Sequence, residues 1–432
     1  MEHLIRSAES QLARLQVPVA LRLPSGRTIG PAQAGVKLEF SRWPVLAQLA
    51  AGKIGALAES FVEDKIRIEG AMRDVMAAAA GILPGNPASG ENSWWKSVAR
   101  RARSAAAHSL QRDAKQIQFH YDVSYDFYAL WLDPRRVYSC AYYADASMTL
   151  AQAQEAKLDH ICRKLMLRPG EKFLDIGSGW GGLLMWAAEH YGVDATGITL
   201  SKNQQAYVER LIAQKGLQNR VRVQLRDYRA VEPSLQFDKI ASVGMFEHVG
   251  RANIGGYFRS IHQLLKPGGL VLNHGITAGG PDTDQLGAGM GDFIEKYIFP
   301  GGELLHVSHL LRETASAGLE MVDTENLRPH YARTLWAWSD ALEAQLDAAR
   351  AALSSGSDES RADRVLRAYR MYLAGSAMSF EQGWISLHQM LSARPEPGAP
   401  AQTMPGAQSA YPFSRNYMYP CSTPSNPKQP AT

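Results

Sequence analysis

The chain has 432 residues, 45% hydrophobic and 20% charged, a balance that suits a globular protein of two or three domains. No run of about 18 apolar residues occurs, so a spanning helix is not expected, and the first residues, MEHLIRSAES, lack the basic-then-apolar pattern of a signal peptide. A formal net charge of +4 is too mild to call for a nucleic-acid partner. The three cysteines (Cys140, Cys162, Cys421) can neither all pair nor form a metal-like cluster, which fits a reducing cytoplasm.

Residues 1–93 read as a small mixed unit and its linker. VKLEF (36–40) alternates like a strand, 54–81 mixes helical periodicity with a short strand at Lys65–Ile68, and GILPGNPASGENS (81–93) is rich in turn formers. Residues 94–117 read as a basic helical connector. Residues 1–115 carry 16 Lys/Arg against 10 Asp/Glu, whereas the rest carries 30 against 32. Arg100, Arg101 and Arg103 beside Trp94 and Trp95 suit either an anionic bilayer surface or a solvated helix with inward tryptophans. Residues 118–393 form the main domain. Its short apolar runs KFLDIG, DATGIT, VRVQLR, KIASVGM and GLVLNHG alternate with helical stretches, which predicts a parallel sheet with helices on both faces. Residues 335–392 read as helical apart from a polar break at SSGSDES (354–360). Residues 394–432 form a Pro-rich tail whose YPFSRNYMYP (411–420) can pin it to the body.

The first run of the main domain leads into Gly177-Ser178-Gly179-Trp180-Gly181-Gly182, a strand–glycine loop–helix order that lets a cofactor approach the backbone. The following strand ends in GITLSKNQ (197–204), with Thr199 and Gln204 where a dinucleotide site would place an acid. Neutral groups there still suit a nucleoside. Asp227, followed by Tyr228, is placed either to accept from an adenine amino group or simply to shape a turn.

These segments, together with FHYDVSYDFYALWLD (119–133), YSCAYY (138–143), SVGMFEHVG (242–250), NHGI (273–276), FIEKYIFPGGEL (293–304) and ENLRPHYARTLWAW (325–338), resemble the cyclopropane fatty acid synthases, including the mycolic acid cyclopropane synthases. The resemblance covers roughly residues 118–392. It implies a Rossmann-like S-adenosylmethionine-dependent methyltransferase (α/β) with a helical cover over an acyl tunnel. Residues 1–80 look, less sharply, like the lipid-carrier-like front domain of the phospholipid-acting members. By resemblance, Tyr138, Ser139, Gly177, Gly179 and Gly181 reach the cofactor, with Thr199 and Gln204 on its ribose and amino-acid side and Asp227 and Tyr228 near the adenine. The resemblance also implies a bicarbonate ion held by Cys140, Glu247, His274, the backbone of Ile276, and Tyr331.

The chemistry explains such a set. An alkene attacked by a sulfonium methyl leaves positive charge on the acyl chain, and ring closure then requires loss of a proton. An anion, a proton acceptor and aromatic faces suit that site. Aromatic candidates are Tyr297, Phe299, Tyr331 and Trp336. Glu247 and His274 follow strand-like runs, and so belong at the carboxyl ends of strands; His248 reads as structural. Two positions depart from the family pattern: Tyr125 stands where Asn is common and Ser376 where Cys is common. The expected reaction is cyclopropane formation on a membrane phospholipid by a cytoplasmic enzyme at the inner membrane face, with a homodimer as one expected assembly. Open alternatives are a methyl- or methylene-branched (or furan-precursor) product, a non-catalytic lipid-binding protein, and a small-molecule methyltransferase.

Overall fold

The computed structural model describes residues 2–83, 125–281, 287–299, 302–354, 358–396, 412 and 414–419. The tryptophan–arginine connector, the His120/Asp122 segment and most of the tail, Cys421 included, lie outside the described residues.

A seven-stranded sheet organises the main body, in the order β10-β11-β9-β8-β5-β6-β7. The five expected runs supply β5 (Lys172–Ile176), β6 (Asp194–Thr199), β7 (Val221–Leu225), β8 (Phe237–Val243) and β9 (Leu265–Ala278), all paired in parallel. Most of their apolar residues are buried, as a sheet covered by helices requires, although Leu225 on the edge strand β7 is exposed. Strand order reverses at β5, which pairs with both β6 and β8. The crevice beyond the carboxyl ends at such a reversal is where open α/β sheets hold ligands.

Two strands were not expected. β10 (Glu320–Asn326) lies at the edge, and β11 (Ile385–Ala393) runs antiparallel between β10 and β9. The helical reading of 335–392 therefore needs correction at its end. The helix Glu359–Glu381 stops, Gly383 adopts φ 74°, and the chain returns into the sheet as ISLHQMLSA.

The front of the chain forms a separate four-stranded sheet in the order β2-β1-β3-β4, from β1 (Val19–Arg22), β2 (Thr28–Ile29), β3 (Val36–Phe40) and β4 (Ile66–Glu69). The alternation in VKLEF and the run at 65–68 both become strands. Helices Trp43–Ala50, Ile54–Val62 and Met72–Ile82 accompany this sheet. Helix Ile54–Val62 packs against Met290–Tyr297 and Glu359–Glu381 of the main body. Gly55 N donates to Ala288 O at 2.9 Å, and Arg367 Nε donates to Val62 O at 2.9 Å. A Cβ on Gly55 would meet Gly289 O at 2.0 Å, so only glycine permits this approach. Among the described residues no helix is long and apolar enough to cross a membrane.

Candidate active site

The glycine loop lies at the strand-order reversal. Gly177, Gly179 and Gly181 take φ of 82°, 53° and 83°, values that side chains rarely adopt. Gly177 and Gly179 line a cleft with Asp175, Thr199, Gln204, Asp227 and Tyr228. Gly181 does not line it. A Cβ there would meet Val208 at 3.0 Å, so its role is close packing of the helix Gly182–Tyr191 rather than contact with the cleft.

Thr199 Oγ1 donates to Gln204 Oε1 at 2.8 Å, which fixes both buried side chains at the cleft edge. Asp227 caps the short turn Tyr228–Ala230 and also binds Arg229, with Arg229 Nε at 2.8 Å and Nη2 at 2.7 Å. The turn-shaping reading of Asp227 is thus realised, while its side chain still borders the cleft.

The segment Asp133–Tyr143 forms the opposite wall. It is irregular, and side chains from two helices hold it. Asp133 accepts from the amides of Arg135 and Val137 at 2.9 and 2.8 Å. From helix Leu150–Lys164, Gln154 Nε2 donates to Ser139 O at 2.8 Å and Lys157 Nζ donates to Ser139 Oγ at 2.9 Å. From helix Arg328–Glu343, Thr334 Oγ1 accepts from Ala141 N at 3.1 Å and His330 Nδ1 from Tyr143 N at 3.0 Å.

A second, mainly apolar cleft adjoins the first. Tyr138, Ser139, Gly244 and His248 line both. All five residues of the expected ion set, Cys140, Glu247, His274, Ile276 and Tyr331, line the second. Glu247 is buried, and burial pushes its carboxyl up to about 7. Its Oε1 accepts from Ile276 N at 2.7 Å, while Oε2 has no protein partner. The Ile276 amide is therefore committed to Glu247, which corrects the expectation that it serves the ion directly. His274 is 1% exposed, and burial holds its imidazole well below the usual range, so it is neutral. Gln389 Nε2 donates to Nδ1 at 3.2 Å, which leaves the proton on Nε2. That Nε2 also lacks a protein partner.

His274 is not at a strand end. It pairs with Val243, the last residue of β8, but β9 continues to Ala278 because β11 extends its ladder. The Cys140 thiol is buried and raised well above its ordinary value by desolvation, with Ala141 O 3.2 Å from its sulfur. It is no nucleophile at neutral pH. Tyr331 packs on Phe380 at 4.8 Å between ring centroids.

Of the aromatic candidates, Phe299 and Tyr331 line the apolar cleft. Tyr297 and Trp336 do not. Tyr297 OH donates to Glu63 at 2.8 Å, and Trp336 Nε1 donates to Glu381 at 2.7 Å. Ser376 lines the same cleft beside Gly375. Tyr125 packs on Tyr207 at 5.2 Å and, at 5.9 Å, on Trp180, which lines the first cleft. Sequence reasoning missed Lys157 and Asp175 in the first cleft and read His248, which lines both clefts, as structural. It also missed Ile54, Gly55, Ala58 and Met76, by which the front unit walls the second.

Residues 108–390 match the family model described as mycolic acid cyclopropane synthetase. A probable fatty acid methyltransferase of Pseudomonas putida is 40% identical over 386 residues, 89% of this chain and 94% of that protein. Cyclopropane mycolic acid synthase 1 of Mycobacterium tuberculosis is 39% identical over 282 residues, 63% of this chain and 94% of that one. The crystal structure of mycolic acid cyclopropane synthase CmaA1 complexed with SAH and CTAB superposes with a TM-score of 0.59 at 37% identity, covering 65% of this chain and 98% of that one. The glycine-loop cleft, the sheet that carries it and these likenesses agree: the chain belongs to the mycolic acid cyclopropane synthetase family of S-adenosylmethionine-dependent methyltransferases.

Proposed function

We propose that the chain transfers the methyl carbon of S-adenosylmethionine to a cis double bond of a phospholipid acyl chain, forming a cyclopropane fatty acid. One observation carries this reading. The glycine-loop cleft and a more apolar cleft share the Tyr138–Ser139 wall, and the more apolar one holds a carboxylate oxygen of Glu247 and the Nε2 of His274, both without a partner among the described residues. The likeness to mycolic acid cyclopropane synthase CmaA1, whose crystal structure is a complex with SAH and CTAB, supports a lipid ligand beside the cofactor.

Bound S-adenosylmethionine supplies an electrophilic methyl group. Tyr138, Ser139, Gly177, Gly179, Thr199, Gln204, Asp227 and Tyr228 are assigned to hold it. Bicarbonate, when bound, supplies a base for the departing proton. Its donor and acceptor needs fit this site: the neutral His274 offers Nε2–H, the Tyr331 side chain borders the cleft, and Glu247 Oε2 offers an acceptor. An orphaned donor and acceptor at one buried site are costly unless a small polar ligand serves them. The chain's remaining contribution is to keep the cleft dry. Phe299, Tyr331 and Tyr372 face the developing positive charge with π surfaces rather than water. Cys140 fills space beside them as a neutral thiol.

A methyl- or methylene-branched product is the second reading, favoured by the name of the Pseudomonas putida relative. The decisive experiment expresses the chain in a host lacking its own synthase and examines the fatty acids by mass spectrometry and proton NMR. Acyl chains gaining one methylene with upfield ring protons support the first reading. Olefinic methylene signals support the second, and unchanged lipids refute both. We further propose a cytoplasmic enzyme docked on the inner membrane face, with residues 1–93 aiding that docking and the pairing of two subunits.

A further inference from the structure

Helix Leu150–Lys164 buries two lysines two turns apart. Lys164 is fully buried, and its ammonium meets Glu325 at 2.5 Å and Asp323 at 3.6 Å. Lys157, 1% exposed, is less fully neutralised: among the described residues no carboxylate reaches its ammonium at ion-pair distance, and the nearby carboxylates of Asp133 and Asp175 act on it only through space. Its one hydrogen-bond acceptor is the neutral hydroxyl of Ser139, at 2.9 Å. An ammonium carries three protons, so two are left without a protein acceptor. A buried, unpaired cation is strongly unfavourable, and a protein retains one only where something compensates it.

Lys157 lines the glycine-loop cleft, next to Asp175 and Gly177. The cleft's arginines, Arg136, Arg226 and Arg229, are not buried, and Arg229 is engaged by Asp227. Lys157 is thus the dehydrated cation of this cleft. An S-adenosyl compound brings one carboxylate, at its amino-acid end, and that group supplies the missing acceptor.

We propose that Lys157 binds the amino-acid carboxylate of the methyl donor, with Ser139 holding the ammonium in place. This rests on reading the cleft as the methyl-donor site. Burial also lowers the Lys157 ammonium to about 8, consistent with a group strained until its anion arrives.

The test is a mutant–ligand cycle on the full chain. Calorimetric titration compares S-adenosylhomocysteine with its decarboxylated analogue, for wild type, Lys157→Met and Lys157→Gln. Wild type is expected to bind the analogue about thirtyfold or more weakly than the parent compound. Both variants are expected to lose that discrimination, binding the two ligands alike at the weaker level. Undiminished discrimination in either variant overturns the assignment. A wild type that binds neither compound overturns the cofactor reading itself.

Discussion

A side chain at Gly275 would meet Glu247 Oε1 at 2.9 Å and the Phe246 ring at 2.5 Å, and its absence lets the carboxylate reach the Ile276 amide. One amide bond does not offset the burial of a carboxylate, so Glu247 ionises only near about 7. The sign follows from linkage. A carboxyl whose folded pKa lies above its ordinary 4.5 keeps its stability contribution at low pH and loses it as pH rises through about 7. Glu247→Gln, which cannot ionise, is therefore expected to equal wild type in stability below this window. Above it the variant should gain up to about 3 kcal/mol, an upper bound read from unfolding curves on either side of the window. The same substitution, and His274→Ala, should abolish most turnover while S-adenosylhomocysteine affinity persists; a collapse in that affinity would refute their place in the second cleft. Both residues were legible because they sit in short, distinctive motifs. Lys157 was not, because a lysine in a helical stretch reads as solvated until its burial is seen. Nor does anything local in MFEH tell that His248 borders both clefts.

Among the elements, parallel strands flanked by helices announced themselves by alternation, whereas β11 did not. ISLHQMLSA is buried along nearly its whole length, and a buried apolar run has no period of two to betray a strand. Its partners, β9 and β10, lie more than sixty residues away for most pairings, so only tertiary contact decides its conformation. The short stretch Ser414–Tyr419 poses a similar case. The tail was expected to be pinned by aromatics, and Tyr419 packs on His160 at 5.5 Å between ring centroids while Tyr417 packs on the apolar core; the most buried anchor is Met418, 1% exposed, whose carbonyl lies 3.0 Å from His160 Nδ1. Arg415 Nη2 adds a bond to Val322 O at 3.0 Å. Met418→Ala should cost about 2 kcal/mol or more, measured by urea unfolding. A change within error would mean that the stretch contributes little to the fold.

At the scale of the whole molecule, the front unit is joined to the main body by close backbone contact and by charge. Lys296 pairs with Glu59, Arg364 with Glu63, and Arg73 with Asp340 at 2.7 Å. These pairs are largely exposed and individually weak. The Gly55–Ala288 bond is different, since it closes a backbone contact at the cleft wall. Gly55→Ala should force the two units apart and lower turnover on vesicles at least tenfold, by analogy with other overpacked contacts costing about 1–3 kcal/mol. S-adenosylhomocysteine binding should be unchanged, because Gly55 does not line that cleft. Vesicle activity equal to wild type would show that the contact is dispensable. The existence of two units was legible in the change of sequence pattern; their joint ownership of one cleft was not, because Ile54, Ala58 and Met76 look like any small unit's own core.

That shared wall bears on which molecule leaves the enzyme. On the proposed reaction, the charged acyl carbon has two fates: it can surrender a proton or capture a solvent oxygen. Ile54, Ala58 and Met76 cover part of the apolar cleft, and covering it keeps water from the acyl carbon. A chain with that cover opened would then make a different compound, a methyl-branched alcohol, and not merely less of the ring. The front unit would thereby act as an editor of product identity from outside the seven-stranded sheet.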